Sequence, residues 1–482
     1  MHFAVIARVL GLLMMIFSLT LIPPMFISLI YNDGALDAFV YALAITFGVG
    51  MAIWLPVHNQ KQDLKIRDGF LITILFWLVL AFSGCLPLML AEQPNLSFTD
   101  AFFESLSGWT TTGATVITGI DLLPESILWY RQQLQWLGGM GIIVLAVAVL
   151  PMLGVGGMQL FRAETPGPVK DSKLTPRITE TAKALWYIYL SLTIVCAVAY
   201  WLAGMSWFDA IGHSFATIAI GGFSTHDASI GYFNSPVIEG ITVVFMLISI
   251  LNFALHFSAW RQKSIRHYFY DSEVKFLAII YLGGAALTVM ALWLTNTYGL
   301  DESIRYGIFE MVSIATTTGF GTADFSVWPV FLPVLLFMMA FIGGCAGSTG
   351  GGMKVIRVLL VYKQGIREIR RLIHPNAIIP IKLGGKPVES RVLGAVWGFF
   401  AVYIATYMFM MLALLTTGLD HVTAFSAVGA CLNNLGPGLG DVSAHYGNIS
   451  DTAKWILSLT MLLGRLEIFT LLVIISPTFW RD

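Results

Sequence analysis

DAFFESLSGWTTTGAT (100–115), DAIGHSFATIAIGGFST (209–225), YGIFEMVSIATTTGFGT (306–322) and TAFSAVGACLNNLGPGLG (423–440) are four versions of one pattern. They align on Gly113, Gly222, Gly319 and Gly436, and thirteen residues upstream stand Asp100, Asp209, Tyr306 and Thr423. Each opens with an apolar stretch long enough for about three helical turns, which is too short to cross a bilayer but enough to enter it and return. Each then breaks into Thr, Gly and Asn. One such stretch would pass as an ordinary turn. Four at matched offsets mark an internal repeat, and a repeat decides the architecture before any local motif does.

The surroundings fix the medium. Of 482 residues, 57% are hydrophobic and 11% charged, against about 25% charged in soluble proteins. Mean hydropathy is +0.78. Ten stretches are apolar enough to span: 3–31, 35–57, 69–91, 127–153, 183–205, 236–260, 274–295, 327–362 (interrupted), 391–417 and 453–477. The first is too long for a cleaved signal peptide and should kink at Pro23 and Pro24. The expected fold is an all-α polytopic membrane protein. Four pseudo-symmetric span–pore helix–filter loop–span units surround one central pore, with two extra N-terminal spans. The boundaries expected are 1–66 for the extra spans and 67–178, 179–270, 271–385 and 386–482 for the units. Nearly all Lys and Arg fall on alternate connections, which places both termini in the cytoplasm. The exceptions are Arg131, Arg305, Lys454 and Arg465.

Non-helical backbone at membrane depth survives only when buried in protein or lining water. Four equivalent loops around one axis meet that condition, and their carbonyls can replace an ion's hydration shell. Glycine allows the backbone angles that keep successive carbonyls on the axis, and Thr hydroxyls add oxygen. Hard oxygen ligands of this kind suit alkali cations. Asp100 and Asp209 sit where a carboxylate would cap a half-helix. A net charge of −1 gives no field for nucleic acid. Cys85, Cys196, Cys345 and Cys431 have no metal-ligand spacing and behave as small apolar residues, and His213, His226 and His374 show no metal spacing either. His213 is expected to pack on its half-helix.

TTTGAT (110–115), AIGGFST (219–225), TTTGFGT (316–322) and NNLGPGLG (433–440) resemble the four filter loops of the Trk/Ktr/HKT superfamily, single-chain relatives of tetrameric potassium channels. The likeness extends to QLQWLGGMGIIVLAVAVLP (133–151), GGCAGSTGGGMKVIR (343–357) and GRLEIFTLLV (464–473). It implies a bacterial inner-membrane potassium uptake protein, not an enzyme, with potassium at the filter and no organic cofactor. The implied filter is Thr111, Thr112 and Gly113; Ile220, Gly221 and Gly222; Thr317, Thr318 and Gly319; and Asn434, Leu435 and Gly436. Gly113, where sodium-preferring relatives carry serine, implies potassium preference. The second and fourth loops depart from TTTG, so the filter is asymmetric.

Six glycines interrupt the span at 343–352, and each disfavours helix by about 1 kcal/mol relative to alanine. The run does not fit GxxxxGK[ST] and so does not read as a phosphate loop. Tight helix packing and a mobile intramembrane loop both remain open from the residues. The resemblance implies a gate formed by Gly343, Gly344, Gly347, Ser348, Thr349, Gly350, Gly351 and Gly352 with Arg465. A mid-span arginine must face the pore or find a partner; Glu467 is a candidate but lies two residues on, off its face. The basic 363–391 segment suits lipid headgroups or a docked protein. The resemblance implies a TrkA-like cytosolic ring of nucleotide-binding domains as partner, and a homodimer of pores. The competing class is an ion-coupled symporter, which would need titrating acids in the membrane; Glu104, Glu310 and Glu467 are the candidates.

Overall fold

The computed structural model describes residues 1–60, 65–141, 178–329 and 331–481. Much of the span expected at 127–153 and of the basic loop after it lies outside these residues. The described residues are mostly helical, as hydropathy demands of backbone that has no water to bond.

The two leading spans are α1 (Phe3–Leu19) continued by α2 (Ile22–Tyr31), and α3 (Leu36–Trp54). The break expected at the proline pair falls at Thr20–Leu21, and Pro23 and Pro24 occupy the first turn of α2, where a missing N–H costs nothing. Gly11 and Gly50 let α1 and α3 touch, because a Cβ on either would come within 3 Å of the other's carbonyl oxygen.

The first unit runs α4 (Ile66–Gly84), α5 (Leu86–Leu90), the short helix α6 (Phe98–Trp109) and α7 (Glu125–Gly139). The second has α8 (Ile178–Leu202), the short α9 (Trp207–Ala219), then α10 (Pro236–Ser249) and α11 (Phe253–Gln262). The third has α12 (Ser272–Leu294), the short α13 (Leu300–Ala315), α14 (Phe331–Ile342) and α15 (Val355–Ile373). The fourth has α16 (Ser390–Leu415), the short α17 (His421–Asn433), α18 (Asp451–Arg465) and α19 (Phe469–Ile475). A two-residue hairpin, Lys382–Leu383 against Lys386–Pro387, sits within the basic segment.

Two expected spans are broken. The chain bends by 93° between α10 and α11 and by 114° between α18 and α19. Both halves of each are apolar, so hydropathy reads through the bend. At the first, Asn252 caps α11 through the Ala254 N–H (2.8 Å), and the freed Ile250 carbonyl accepts from Cys345 N–H (3.0 Å). At the second, Glu467 and Ile468 take left-handed backbone angles. All four cysteines are buried and unpaired, in line with an apolar role.

Candidate functional site: a four-loop ring and its floor

All four short helices end the same way. The residue two before the aligned glycine is left-handed: Thr111, Ile220, Thr317 and Asn434, with φ between 53° and 67°. Its N–H bonds the carbonyl three residues back: Gly108, Thr217, Ile314 and Cys431, at 3.0–3.2 Å. The next N–H, at Thr112, Gly221, Thr318 and Leu435, bonds the carbonyl five back: Ser107, Ala216, Ser313 and Ala430, at 2.8–2.9 Å. This is the Schellman end, which satisfies two orphan carbonyls. Glycine usually takes the left-handed position. A side chain there costs about 1–2 kcal/mol, which signals that these four side chains are needed. Gly113, Gly222 and Gly319 then turn left-handed again, at φ 80–82°. Each helix thus aims its partially negative C-terminal end at the loop that follows.

The loops close into a ring. A Cβ on Gly113 would strike the Gly221 carbonyl, and one on Gly222 the Thr318 carbonyl. A Cβ on Gly319 would meet Pro437 Cδ at 2.7 Å, and one on Gly436 the Gly113 carbonyl at 2.6 Å. First touches second, second touches third, third touches fourth and fourth touches first. All twelve expected residues lie in this ring. Thr110 and Thr112 join hydroxyls at 2.7 Å, as do Thr316 and Thr318, so the two TTTG loops share one internal clasp.

Nine residues before the aligned glycine, a side chain holds the outgoing strand in three units. Glu104 accepts from Thr115 Oγ1 (3.0 Å) and Val116 N–H (2.9 Å). His213 Nε2 pairs with Ser224 Oγ (2.8 Å), so it packs as expected but also anchors its loop. Glu310 accepts from the N–H groups of Thr322 (2.6 Å) and Ala323 (3.0 Å). Glu104 is also paired with Arg131 at 2.9 Å, both essentially without solvent contact.

The glycine run forms the floor. It is an irregular loop between α14 and α15, pressed against the ends of three short helices. Thr349 Oγ1 donates to the Ile218 carbonyl (3.0 Å), Gly351 N–H to Thr317 Oγ1 (2.8 Å) and Gly352 N–H to the Asn433 carbonyl (3.2 Å). A Cβ on Gly351 would strike the Asn433 carbonyl. Arg465 covers the remaining quadrant. It donates to Thr111 Oγ1 (3.3 Å) and the Gly138 carbonyl (2.6 Å), with its guanidinium 5.2 Å from the Trp77 ring centre. Thr111 and Thr317 thus face downward onto the floor, which is one use of their left-handed positions.

Residues 35–481 match the family model described as TrkH, cation transport protein. The chain belongs to the TrkH family. It is 61% identical over 481 residues to the Trk system potassium uptake protein TrkH of Halomonas elongata, covering all of both chains. It is 56% identical over 483 residues to the protein of that name in Escherichia coli K12, again over full length. The crystal structure of the potassium transporter TrkH from Vibrio parahaemolyticus superposes with a TM-score of 0.91 at 55% identity, covering 100% of each chain. This family is one of transporters, not enzymes, and the chain is a multi-pass helical membrane protein.

One expectation needs correction within this TrkH-family frame. Asp100 and Asp209 are not the helix caps. Ser97 and Ser206 are, accepting from the Asp100 and Asp209 N–H groups, while each serine hydroxyl donates to the aspartate (2.9 and 2.7 Å). The S-x-x-D spacing carries that signal. Asp100 instead pairs with Lys454 at 2.6 Å. Glu467 pairs with Arg357, the α15 residue lying over Phe399, at 2.5 Å. Arg305 pairs with Glu239 at 2.6 Å. Glu273 went unnoticed in the sequence: its Oε1 takes the N–H groups of Ala346 (2.8 Å) and Ile356 (3.1 Å), tying both limbs of the glycine loop to α12.

At the far end of α9 from the floor, His226 lies between Asp121 (2.6 Å) and Asp209 (3.4 Å), stacked on Tyr232 at 3.5 Å. Burial alone would lower its pKa, but the two carboxylates outweigh that and hold it above the ordinary 6.5. A raised folded pKa means the bridge stabilises fully below 6.5 and loses its contribution as pH climbs through the raised value. Asp121→Asn should therefore flatten the alkaline part of the stability profile. Thermal unfolding of the purified protein from about pH 6 to about pH 9 checks it, and an unchanged profile would contradict the bridge.

Proposed function

We propose that this chain takes up potassium across the bacterial inner membrane through the ring, with both termini cytoplasmic. Carbonyls of Thr111–Gly113, Ile220–Gly222, Thr317–Gly319 and Asn434–Gly436 replace the ion's water. The four units divide near residues 67, 179, 271 and 386, after the two leading spans. The observation that carries this reading is the set of four identical helix ends whose loops meet in a closed ring. It is supported by the full-length likeness to potassium uptake proteins of the Trk system.

The glycine loop, Gly343–Gly352 with Ser348 and Thr349, is the gate, and Arg465 is its fixed charge. The hydrogen bonds that tie the loop to the three helix ends are individually worth about 0.5–1.5 kcal/mol, so these contacts can break while Glu273 keeps the loop's limbs on α12. A guanidinium beneath the ring repels a dehydrated cation. Withdrawal is driven from α15, whose basic face, with the rest of 363–391, docks a cytosolic nucleotide-binding ring or anionic lipid. The channel assembles as a homodimer. Glu104 and Glu467 are each ion-paired, to Arg131 and Arg357, which at these two acids favours gated conduction over proton-coupled symport.

The test is counter-ion-driven radioactive rubidium uptake into potassium-loaded liposomes. Gly113→Ser should reduce preference for potassium over sodium about tenfold, since the side chain forces a left-handed serine against the Gly221 carbonyl. Arg465→Ala should speed flux about tenfold, equivalent to about 1.4 kcal/mol of barrier. Uptake that requires a proton gradient would instead establish the symporter.

A further inference from the structure

Helix α7 carries Arg131, Gln132, Gln133 and Gln135 on four of five successive positions. Gln133 turns away, toward the Thr20 carbonyl (2.5 Å). Gln132 and Gln135 reach not into their own unit's loop but into the second one, and Arg131 reaches both, holding Thr115 Oγ1 (3.2 Å) and Glu104 on its own side. Arg131 donates to the Ser224 carbonyl (3.2 Å) and lies over the Phe223 ring (4.3 Å). Gln132 Nε2 donates to the Phe223 carbonyl (2.8 Å). Gln135 brackets the aligned glycine: its Nε2 donates to the Gly221 carbonyl (2.6 Å) and its Oε1 accepts from Phe223 N–H (3.0 Å). That backbone N–H fixes which end of the amide is oxygen.

The second loop needs outside support. The first and third loops carry a threonine pair at the positions three and one before the aligned glycine, joined hydroxyl to hydroxyl. The second has Ala219 and Gly221 there, with no hydroxyl at either. The fourth has Asn433 and Leu435, and it too is held from outside: Tyr403 donates to Asn433 Oδ1 (2.6 Å) and Tyr446 to the Gly436 carbonyl (2.9 Å). Loops without the internal clasp thus take one from neighbouring elements.

We infer that Gln135 is a selectivity-determining positioning residue, the principal member of a clamp from the first unit that fixes the peptides on both sides of Gly222. The inference rests on the filter reading above. An oxygen ring discriminates potassium from sodium by the number and orientation of its carbonyls. Two glycines in succession, Gly221 and Gly222, have the widest backbone freedom in the ring. Without the amide, these peptides rotate and one quadrant loses its fixed oxygen.

Gln135→Glu keeps the size and the acceptor for Phe223 N–H but removes the donor to Gly221. Gln135→Leu removes both bonds. Each is compared with wild type and Gly113→Ser for rubidium uptake competed by potassium or sodium, alongside yield and size-exclusion profile. The expected result is a monodisperse, conducting protein whose preference for potassium over sodium falls about tenfold, the weight of one lost buried hydrogen bond. A merely structural role would lower the amount of active protein and leave this ratio unchanged. Unchanged preference in both Gln135 variants while Gly113→Ser loses it overturns the clamp and leaves the filter reading standing. Unchanged preference in all three overturns the filter reading as well. If neither Gln135 variant yields protein, Gln132→Met removes one bond of the same clamp, and wild-type preference there overturns the inference.

Discussion

Gly222→Ala should reduce potassium-selective rubidium uptake by about a hundredfold, equivalent to roughly 3 kcal/mol. Two effects add. The backbone at Gly222 stands at φ +80°, which costs an L-residue about 1–2 kcal/mol. The new methyl group would also strike the Thr318 carbonyl, a backbone atom of the next loop that no rotamer change can move. Relief requires the second and third loops to part, which opens the ring at one junction. Gly212→Ala is the matched control on the same short helix. Its Cβ would sit at ordinary contact distance, 3.4 Å from Gln132 and 3.5 Å from Thr225, and alanine gains about 1 kcal/mol of helix propensity there. Uptake should stay near wild type in Gly212→Ala. Equal uptake in the two variants would mean that the loops do not form a continuous constriction.

The repeat was legible because its cause is local. Helix ends are set by backbone chemistry within about six residues, so four copies of one ending leave four similar strings. The glycines stand out for the same reason: left-handed angles and close backbone contact leave little else that fits. The two bends at α10–α11 and α18–α19 were hidden because both sides of each are apolar, and hydropathy measures only the medium. The first is held open by Cys345 N–H reaching the Ile250 carbonyl from almost a hundred residues away in sequence.

Cross-unit partners were illegible for a related reason. Gln135 reads from sequence as a stray polar residue in a span, and only the ring brings it to Gly221. Glu273 reads as a first-turn acid on α12, a common helix preference, yet it secures the glycine loop. Glu467 reads from helical spacing as an acid off the Arg465 face, and past the bend after α18 it pairs with Arg357. The caps, by contrast, were readable. Ser97 and Ser206 precede Asp100 and Asp209 by three residues, and the small hydroxyl at the cap position, not the conspicuous charge three residues on, takes the free N–H.

The largest stability effect should come from the Glu104–Arg131 pair. Both side chains are sealed from solvent, and their contact is 2.9 Å. Arg131→Met leaves a buried carboxylate with only the Thr115 hydroxyl and the Val116 N–H. Glu104→Gln leaves a buried guanidinium with the Ser224 carbonyl and Thr115. Stranding one charge of such a pair costs about 3–5 kcal/mol, whereas removing both with apolar or neutral groups of similar volume is often close to neutral. The double variant should therefore melt above the Arg131→Met single variant in thermal unfolding of the purified protein, giving strong non-additivity. Recovery of stability need not restore function, and the geometry says it should not. Among the described residues, Arg131 is the one side chain that bonds both Glu104 behind the first loop and Ser224 in the second. A double variant that folds well but discriminates potassium poorly would separate the two roles of the pair: its charges compensate each other for stability, and its guanidinium fork joins two quadrants of the ring. A double variant no more stable than Arg131→Met would mean that the arginine's contacts to the second loop, rather than its charge, dominate its contribution to the fold.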